Sequence, residues 1–260
     1  MVEALRELRK ICQNVPSASS SWYVINVQRR LSVYITWLLL HTPITANQVT
    51  VLFIIIGLIG ALLLAIGIRW CFVSGALVLF FYGILDCVDG EIARYRKTES
   101  STGVFLELMG HNIIDPSVFV CLSFGIYRSY HNVIVLIFGF IAAISRFLAE
   151  NRHEIMKRAL KKHVEHIFNI RQLSKSTEVS ETDMKYKGSS SLSKLIQRTH
   201  LPFLFTKGIE LVILFTALID YVHIALIFYG VTMPVRTLLI IFHGVKQTRL
   251  FDSNLRRTDE

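Results

Sequence analysis

Apolar positions in this chain fall in long charge-poor blocks, without the alternating or i, i+3/i+4 rhythm of a soluble fold. Residues 50–68 run 19 positions without a charge (TVLFIIIGLIGALLLAIGI), and residues 70–85 run 16. A helix of about 20 apolar residues crosses the hydrocarbon core of a bilayer. Residues 103–127, 132–145 (continuing to Arg146), 201–219 and 221–245 form four further blocks. The pattern therefore predicts six spans. Residues 31–40 are apolar but too short to cross. They follow Arg29 and Arg30 and include Tyr34 and Trp37, which predicts a helix lying in the membrane interface. Residues 3–12 read as a short amphipathic helix, and the serine-rich 17–21 as a break. The first 30 residues hold no apolar stretch of the kind that makes a secretory signal.

The expected fold is an all-α integral membrane protein with six transmembrane helices and an N-terminal amphipathic or interfacial helix. Residues 1–45 make the N-terminal part. Residues 46–245 make the six-span domain, with a polar loop at 151–200, and 246–260 make a tail. Composition sharpens this. Hydrophobic residues are 52% and charged residues 18%, a modest excess over the ~45–50% and ~25% of soluble domains. Its segregation into blocks excludes disorder, collagen and coiled coil, and argues against a soluble two-domain enzyme. Cys12, Cys71, Cys87 and Cys121 lie in or beside apolar runs without CxxC spacing. They are expected to pack, not to form disulfides or bind metal.

The net charge is +9, which opens nucleic acid, anionic lipid and anionic substrates as partners. Its placement decides among them. The 151–200 loop carries eleven Lys/Arg against five acids, and the turns near Arg69, Arg128 and Asp220 are almost free of Lys/Arg. The positive-inside rule then puts both termini and the loop in the cytoplasm. The charge is topology; no motif supports nucleic-acid binding. Attraction to anionic lipid headgroups is a secondary use of the loop. Within it, residues 151–169 are expected to be helical and 174–193 to be mobile.

Ionisable groups inside a span cost several kcal/mol unless paired or wet, about 2.5–3.5 on insertion scales. Here they cluster. Asp86 and Asp89 share a helix face after 16 apolar residues, which is roughly 24 Å of helix and reaches the cytoplasmic edge of the core. Gly103, Glu107, His111 and Asp115 are spaced four apart and form a stripe on the next span. Two antiparallel helices would bring Asp86, Asp89 and Glu107 to one point. Gathered carboxylates repel unless a cation bridges them, and oxygen donors suit Mg²⁺ or Mn²⁺. Gly90 and Gly103 leave room beside the cluster, and Arg94, Arg96 and Lys97 add positive charge at the same level. The set fits a phosphate-bearing substrate better than an ion path.

These residues resemble the CDP-alcohol phosphotransferase family, whose pattern is D-x2-D-G-x2-A-R-x8-G-x3-D-x3-D. Asp86, Asp89, Gly90, Ala93, Arg94 and Gly103 stand in register. At the third and fourth acidic positions this chain has Glu107 and His111. The resemblance implies transfer of a phosphatidyl or other substituted phosphoryl group from a CDP-linked lipid or alcohol to an acceptor alcohol, with release of CMP. It implies two divalent ions, Mg²⁺ or Mn²⁺, held by Asp86, Asp89 and Glu107. It also implies a cytidine pocket at Gly90, Ala93, Arg94 and Gly103, and a homodimer of the kind common in the family. His111 replaces the residue that serves as general base. Histidine, with an ordinary pKa near ~6.5, can take that role. Asp115 is expected to orient its ring, and Pro116 to kink the helix.

Weaker features concern the acceptor. Residues 42–50 (TPITANQVT) resemble the entry to the first span in several members, and Ser145, Arg146, Ala149 and Glu150 partly match a run of the inositol-phosphate-using branch. Leu148 replaces the second arginine of that run. Arg146 and Arg236 are candidates for a phosphate; equally, Arg146 snorkels to the interface and Arg236 snorkels or pairs with Glu210. Two other functions stay open: a non-catalytic relative that binds CDP-lipid, and a transporter using intramembrane carboxylates.

Overall fold

The computed structural model describes residues 5–13, 22–174 and 208–257. All of these elements are helical. Helix α1 is Leu5–Gln13, α2 Arg29–Leu40, α3 Ala46–Ala65, α4 Arg69–Arg96 and α5 Ser101–Tyr130. Helix α6 is Ile134–Ser174, α7 Ile209–Leu218 and α8 Val222–Arg257. A π-helical stretch, Val24–Gln28, leads into α2. Five helices are long and apolar enough to cross a membrane: Ala46–Ala65, Arg69–Arg96, Ser101–Tyr130, Ile134–Arg152 and Val222–Arg249. Of the remaining expected span, 201–219, the described part is the ten-residue α7; residues 201–207 lie outside the described residues. Helix α6 runs on from its apolar part through 151–169 to Ser174. The stretch expected to be mobile, 174–193, otherwise lies outside the described residues.

Local sequence sets the helix ends. Thr45 and Gln48 form a capping box at the start of α3: Gln48 N–H donates to Thr45 Oγ1 at 3.4 Å, and Thr45 N–H to Gln48 Oε1 at 2.9 Å. Ser100 caps α5 by accepting from Gly103 N–H at 3.1 Å. Lys97 ends α4 in a left-handed conformation, φ 54°, and Thr98 N–H closes the turn on Ala93 O at 2.9 Å. Gly67, between α3 and α4, also has positive φ, at 83°. A side chain there would meet Gly125 O at 2.6 Å, so glycine serves both the turn and the crossing with α5.

Packing places the site. Helix α3 lies against both α4 and α5, which do not themselves pack closely on each other. Long side chains join them, as Tyr82 of α4 meets His111 of α5. The core beneath is built from Phe53, Leu64, Phe72, Leu79, Ile114, Phe119 and Leu122, fully or nearly fully buried. Helix α6 packs on α5 and α8, and α7 on α4. Helix α2 advances beside α4 in the same direction. Gln28 touches Gly83, Ser32 and Thr36 reach Glu91, and Leu40 and Tyr95 meet over the cluster of Leu8, Cys12 and Val33. The side chain of Glu91 explains that course. It is 1% exposed and accepts from Ser32 Oγ at 2.6 Å, Thr36 Oγ1 at 2.6 Å and Gln13 Nε2 at 2.7 Å. A buried carboxylate is tolerated when hydrogen bonds saturate it. These bonds tie α1 and α2 to α4.

Candidate active site

Asp86 of α4 meets Glu107 and His111 of α5. One ligating atom from each lies within 4.8 Å of the others. His111 Nε2 stands 2.8 Å from Asp86 Oδ1. The other ring nitrogen, Nδ1, stands 2.9 Å from the Tyr82 hydroxyl and 4.0 Å from Asp115 Oδ1. A neutral imidazole has one donor and one acceptor, and an ionised carboxylate only accepts. The tautomer sets whether the Tyr82 hydroxyl donates to Nδ1 or accepts from it, while Nε2 faces the Asp86 carboxylate as an ion-pair contact. Asp115, the expected orienter, is beyond hydrogen-bond reach of the ring; Tyr82 occupies that position.

Asp89 stands one turn on and is turned toward α3. Its Oδ2 accepts from Thr50 Oγ1 at 2.7 Å, and its Oδ1 from Gly90 N–H at 2.5 Å. The structure thus brings Asp86, Glu107 and His111 together, with Asp89 outside that triplet. Glu107 is exposed, and Asp89 and His111 are buried.

Of the residues expected to hold the nucleotide, Gly90, Ala93 and Arg94 lie in the last turns of α4 and Gly103 in the first turn of α5. The guanidinium of Arg94 covers Gly90, where an added Cβ would meet it at 3.2 Å. Its Nε donates to the carbonyl of Cys12 in α1 at 2.7 Å. Gly103 faces Asn47 Oδ1, which an added Cβ would meet at 3.0 Å. Ala93 packs, half-buried, beside Ile92 and Val88. Arg96 has another task than the expected phosphate charge: it donates to the carbonyls of Ile44 at 2.6 Å and Thr42 at 2.7 Å, bracing the α2–α3 connection.

Arg146, 3% exposed, forms an ion pair with Asp115 Oδ2, and its Nη1 is 3.1 Å from Glu150 Oε2. It is thereby a bridge between α5 and α6. Arg236 stands in the field of Arg146, Arg152 and Glu150. Glu210, the other candidate partner of Arg236, accepts from Tyr23 OH at 3.0 Å and Gln28 Nε2 at 3.4 Å.

Tyr82, Thr50 and Glu91 were not singled out from the sequence. Tyr82 lies four residues before Asp86, one helical turn, a spacing that puts it beside any ring Asp86 touches. Thr50 reads as the first residue of an apolar block, and only the crossing of α3 with α4 gives it a carboxylate to bind.

The donor set of Asp86, Glu107 and His111, two carboxylates and an imidazole, fits a hard or borderline divalent cation. The CDP-alcohol phosphatidyltransferase family profile matches residues 43–173, half of the chain. The chain belongs to that family, which is generally dependent on divalent metal. Among solved structures, phosphatidylinositol phosphate synthase (PgsA1) from Mycobacterium tuberculosis, crystallised with CDP-DAG bound, superposes with a TM-score of 0.57 at 16% identity. The match covers 83% of this chain and 94% of that one. At that identity it shows a shared fold. No curated protein matches the chain. Family and apolar helices together define a multi-pass integral membrane protein and a transferase of phospholipid biosynthesis.

Proposed function

We propose that the chain transfers a phosphatidyl or related phosphoryl group from a CDP-linked lipid or alcohol to an acceptor alcohol. The observation that carries this reading is the meeting of Asp86, Glu107 and His111 between α4 and α5. Asp86 and Glu107 would hold Mg²⁺ or Mn²⁺, with Asp89 beside them in the role the family motif implies for it. The metal, when bound, neutralises diphosphate charge. Arg94, anchored by Cys12 O, stands over Gly90 to meet the nucleotide phosphate.

His111 serves as general base. Its Nε2 faces Asp86 at 2.8 Å and its Nδ1 faces Tyr82 at 2.9 Å, and a neutral imidazole keeps one nitrogen able to take a proton. The acceptor oxygen forms its bond to phosphorus as its proton passes to the His111 imidazole. The bond from phosphorus to the bridging oxygen breaks, and CMP leaves with that oxygen. The site opens to the cytoplasm, with both termini on that side, in accord with the charge of the 151–200 loop.

A second role for His111 has its own support, because its ring lies within ligating reach of the same point as Asp86 and Glu107. As a ligand, its nitrogen favours Mn²⁺ over Mg²⁺. The test is CMP release from CDP-diacylglycerol by the full chain in lipid nanodiscs. Activity that needs Mg²⁺ or Mn²⁺ and vanishes in Asp86→Asn supports the transferase. Unchanged turnover in that variant overturns it. His111→Ala that lowers kcat at constant metal affinity marks a base; loss of metal affinity marks a ligand.

A further inference from the structure

Helix α1 docks on the rest of the protein along one narrow seam. Leu8 and Cys12 are fully buried with Val33, Leu40 and Tyr95 pack beside them, and Gln13 closes the helix. The other residues of α1 are exposed. Yet this short helix meets α4 at the turn that carries Gly90 and Arg94. Gln13 Nε2 donates to the Arg29 carbonyl at 2.7 Å and to Glu91 Oε1 at 2.7 Å, and the Cys12 carbonyl accepts from Arg94 Nε at 2.7 Å. We propose that α1 is a positioning clamp for the CDP donor: docked, it fixes Arg94 over Gly90, and undocked, it releases the arginine. The inference rests on the transferase reading above and names an element outside the motif on which the same site depends.

The contact is chemically directed. Carbonyls in the last turn of a helix lack intrahelical partners and carry the negative end of its dipole, so the end of α1 suits a guanidinium. The bond engages Nε. It leaves Nη1 and Nη2 over Gly90, where an added Cβ would meet them at 3.2 Å and 3.4 Å. Those two nitrogens form the fork that matches a phosphate. Arg96, two residues on, has both of its Nη nitrogens on the carbonyls of Thr42 and Ile44. The two arginines thus differ in which nitrogens the fold takes. A freely moving arginine loses rotamer freedom when it binds a ligand; one already held by its Nε loses less, and the donor binds more tightly for it.

The seam is also separable. Glu91 keeps Ser32 and Thr36 when Gln13 leaves it, so α2 stays on α4 without α1. Helix α1 is therefore a local unit whose opening leaves the membrane core in place. Linkage makes the effect reciprocal: a docked α1 that tightens the donor is itself tightened by the donor, by the same factor. The Cys12 thiol, 0% exposed, reports the docked state.

The test uses the full chain in lipid nanodiscs with CDP-diacylglycerol. It reads CMP release and the rate at which a maleimide modifies Cys12, located by peptide mass spectrometry. Leu8→Asp places a charge in the seam. It should speed Cys12 modification and raise KM for the donor about tenfold, with kcat nearly kept. Leu8→Met, which keeps the apolar contact, should behave as the native chain. In an Arg94→Lys background, which lacks Nε, Leu8→Asp should add nothing to donor KM. In the native chain, saturating CDP-diacylglycerol should slow Cys12 modification about tenfold, and in Arg94→Lys it should not. Three results overturn the clamp while leaving the transferase intact: an unchanged donor KM in Leu8→Asp with Cys12 exposed, a rise that adds in full to that of Arg94→Lys, or Cys12 modification in the native chain that ignores the donor. The last needs no variant, so it decides even where Leu8→Asp fails to fold. Absence of CMP release by the native chain overturns the transferase reading, and the clamp with it.

Discussion

Helix α4 carries carboxylates on two faces, and they meet opposite fates. Glu91 is sealed against α1 and α2, with three side-chain donors on its two oxygens. Asp86, five residues earlier, faces a histidine and an exposed glutamate of α5. Both sit on one helix near one end of a span, so propensity and depth do not separate them. What separates them is the partner. Neutral hydroxyl and amide donors saturate Glu91 and turn its charge into a latch. Asp86 is met by an acid and an imidazole, a set that a cation completes. A membrane carboxylate enclosed by protein donors holds the fold; one gathered with like charges awaits a ligand.

Substitutions can break this contrast, beginning with the largest effect. Asp86→Ala should lower CMP release by ~10³-fold or more, several kcal/mol of transition-state stabilisation, with the melting temperature in detergent little changed. His111→Ala should cost ~10²–10³-fold in kcat, within the usual range for a general base, and His111→Asp should recover part of it; pre-steady-state CMP release measures both. Glu91→Ala should show the reverse profile. It strands Ser32, Thr36 and Gln13 donors in a buried setting, and thermal unfolding should reveal a loss of about 2–3 kcal/mol. If Glu91→Ala abolished turnover at full stability, the latch reading would fail. Arg94→Lys keeps the charge but loses the fork that spans Gly90 and Cys12 O, so KM for the CDP donor should rise about tenfold. The smallest effect falls on the frame: Thr45→Ala removes the capping box at α3 and should cost ~1 kcal/mol without altering KM.

Much of the site was legible because it is local. Asp86, Asp89, Gly90, Arg94, Gly103, Glu107 and His111 lie within 26 residues, and helical spacing alone aligns each set on its own face. Arg96 shows where such reading stops. A basic residue beside carboxylates looked like phosphate-binding charge, yet it braces Thr42 and Ile44 carbonyls some 50 residues away. Asp115 shows the same limit. One turn from His111, it was a natural orienter, but Arg146 from α6 draws its carboxylate aside and Tyr82 takes the ring nitrogen.

The sequence by itself determined the apolar blocks, five of which form membrane-length helices, the segregation of the positive charge along the chain and the order of the motif residues. Each of these depends on neighbours a few positions apart: run length against bilayer thickness, charge against potential, spacing against helical pitch. Only the tertiary structure decided which carboxylates meet. That depends on α3 wedging between α4 and α5, on glycines that admit close crossings, and on α2 running beside α4. The partners of Glu91, Asp89 and Gln28 come from elements 39 to 182 residues distant. No periodicity encodes contacts of that range, because they are set by the packing of whole helices, and packing is what assigned each buried polar group its task.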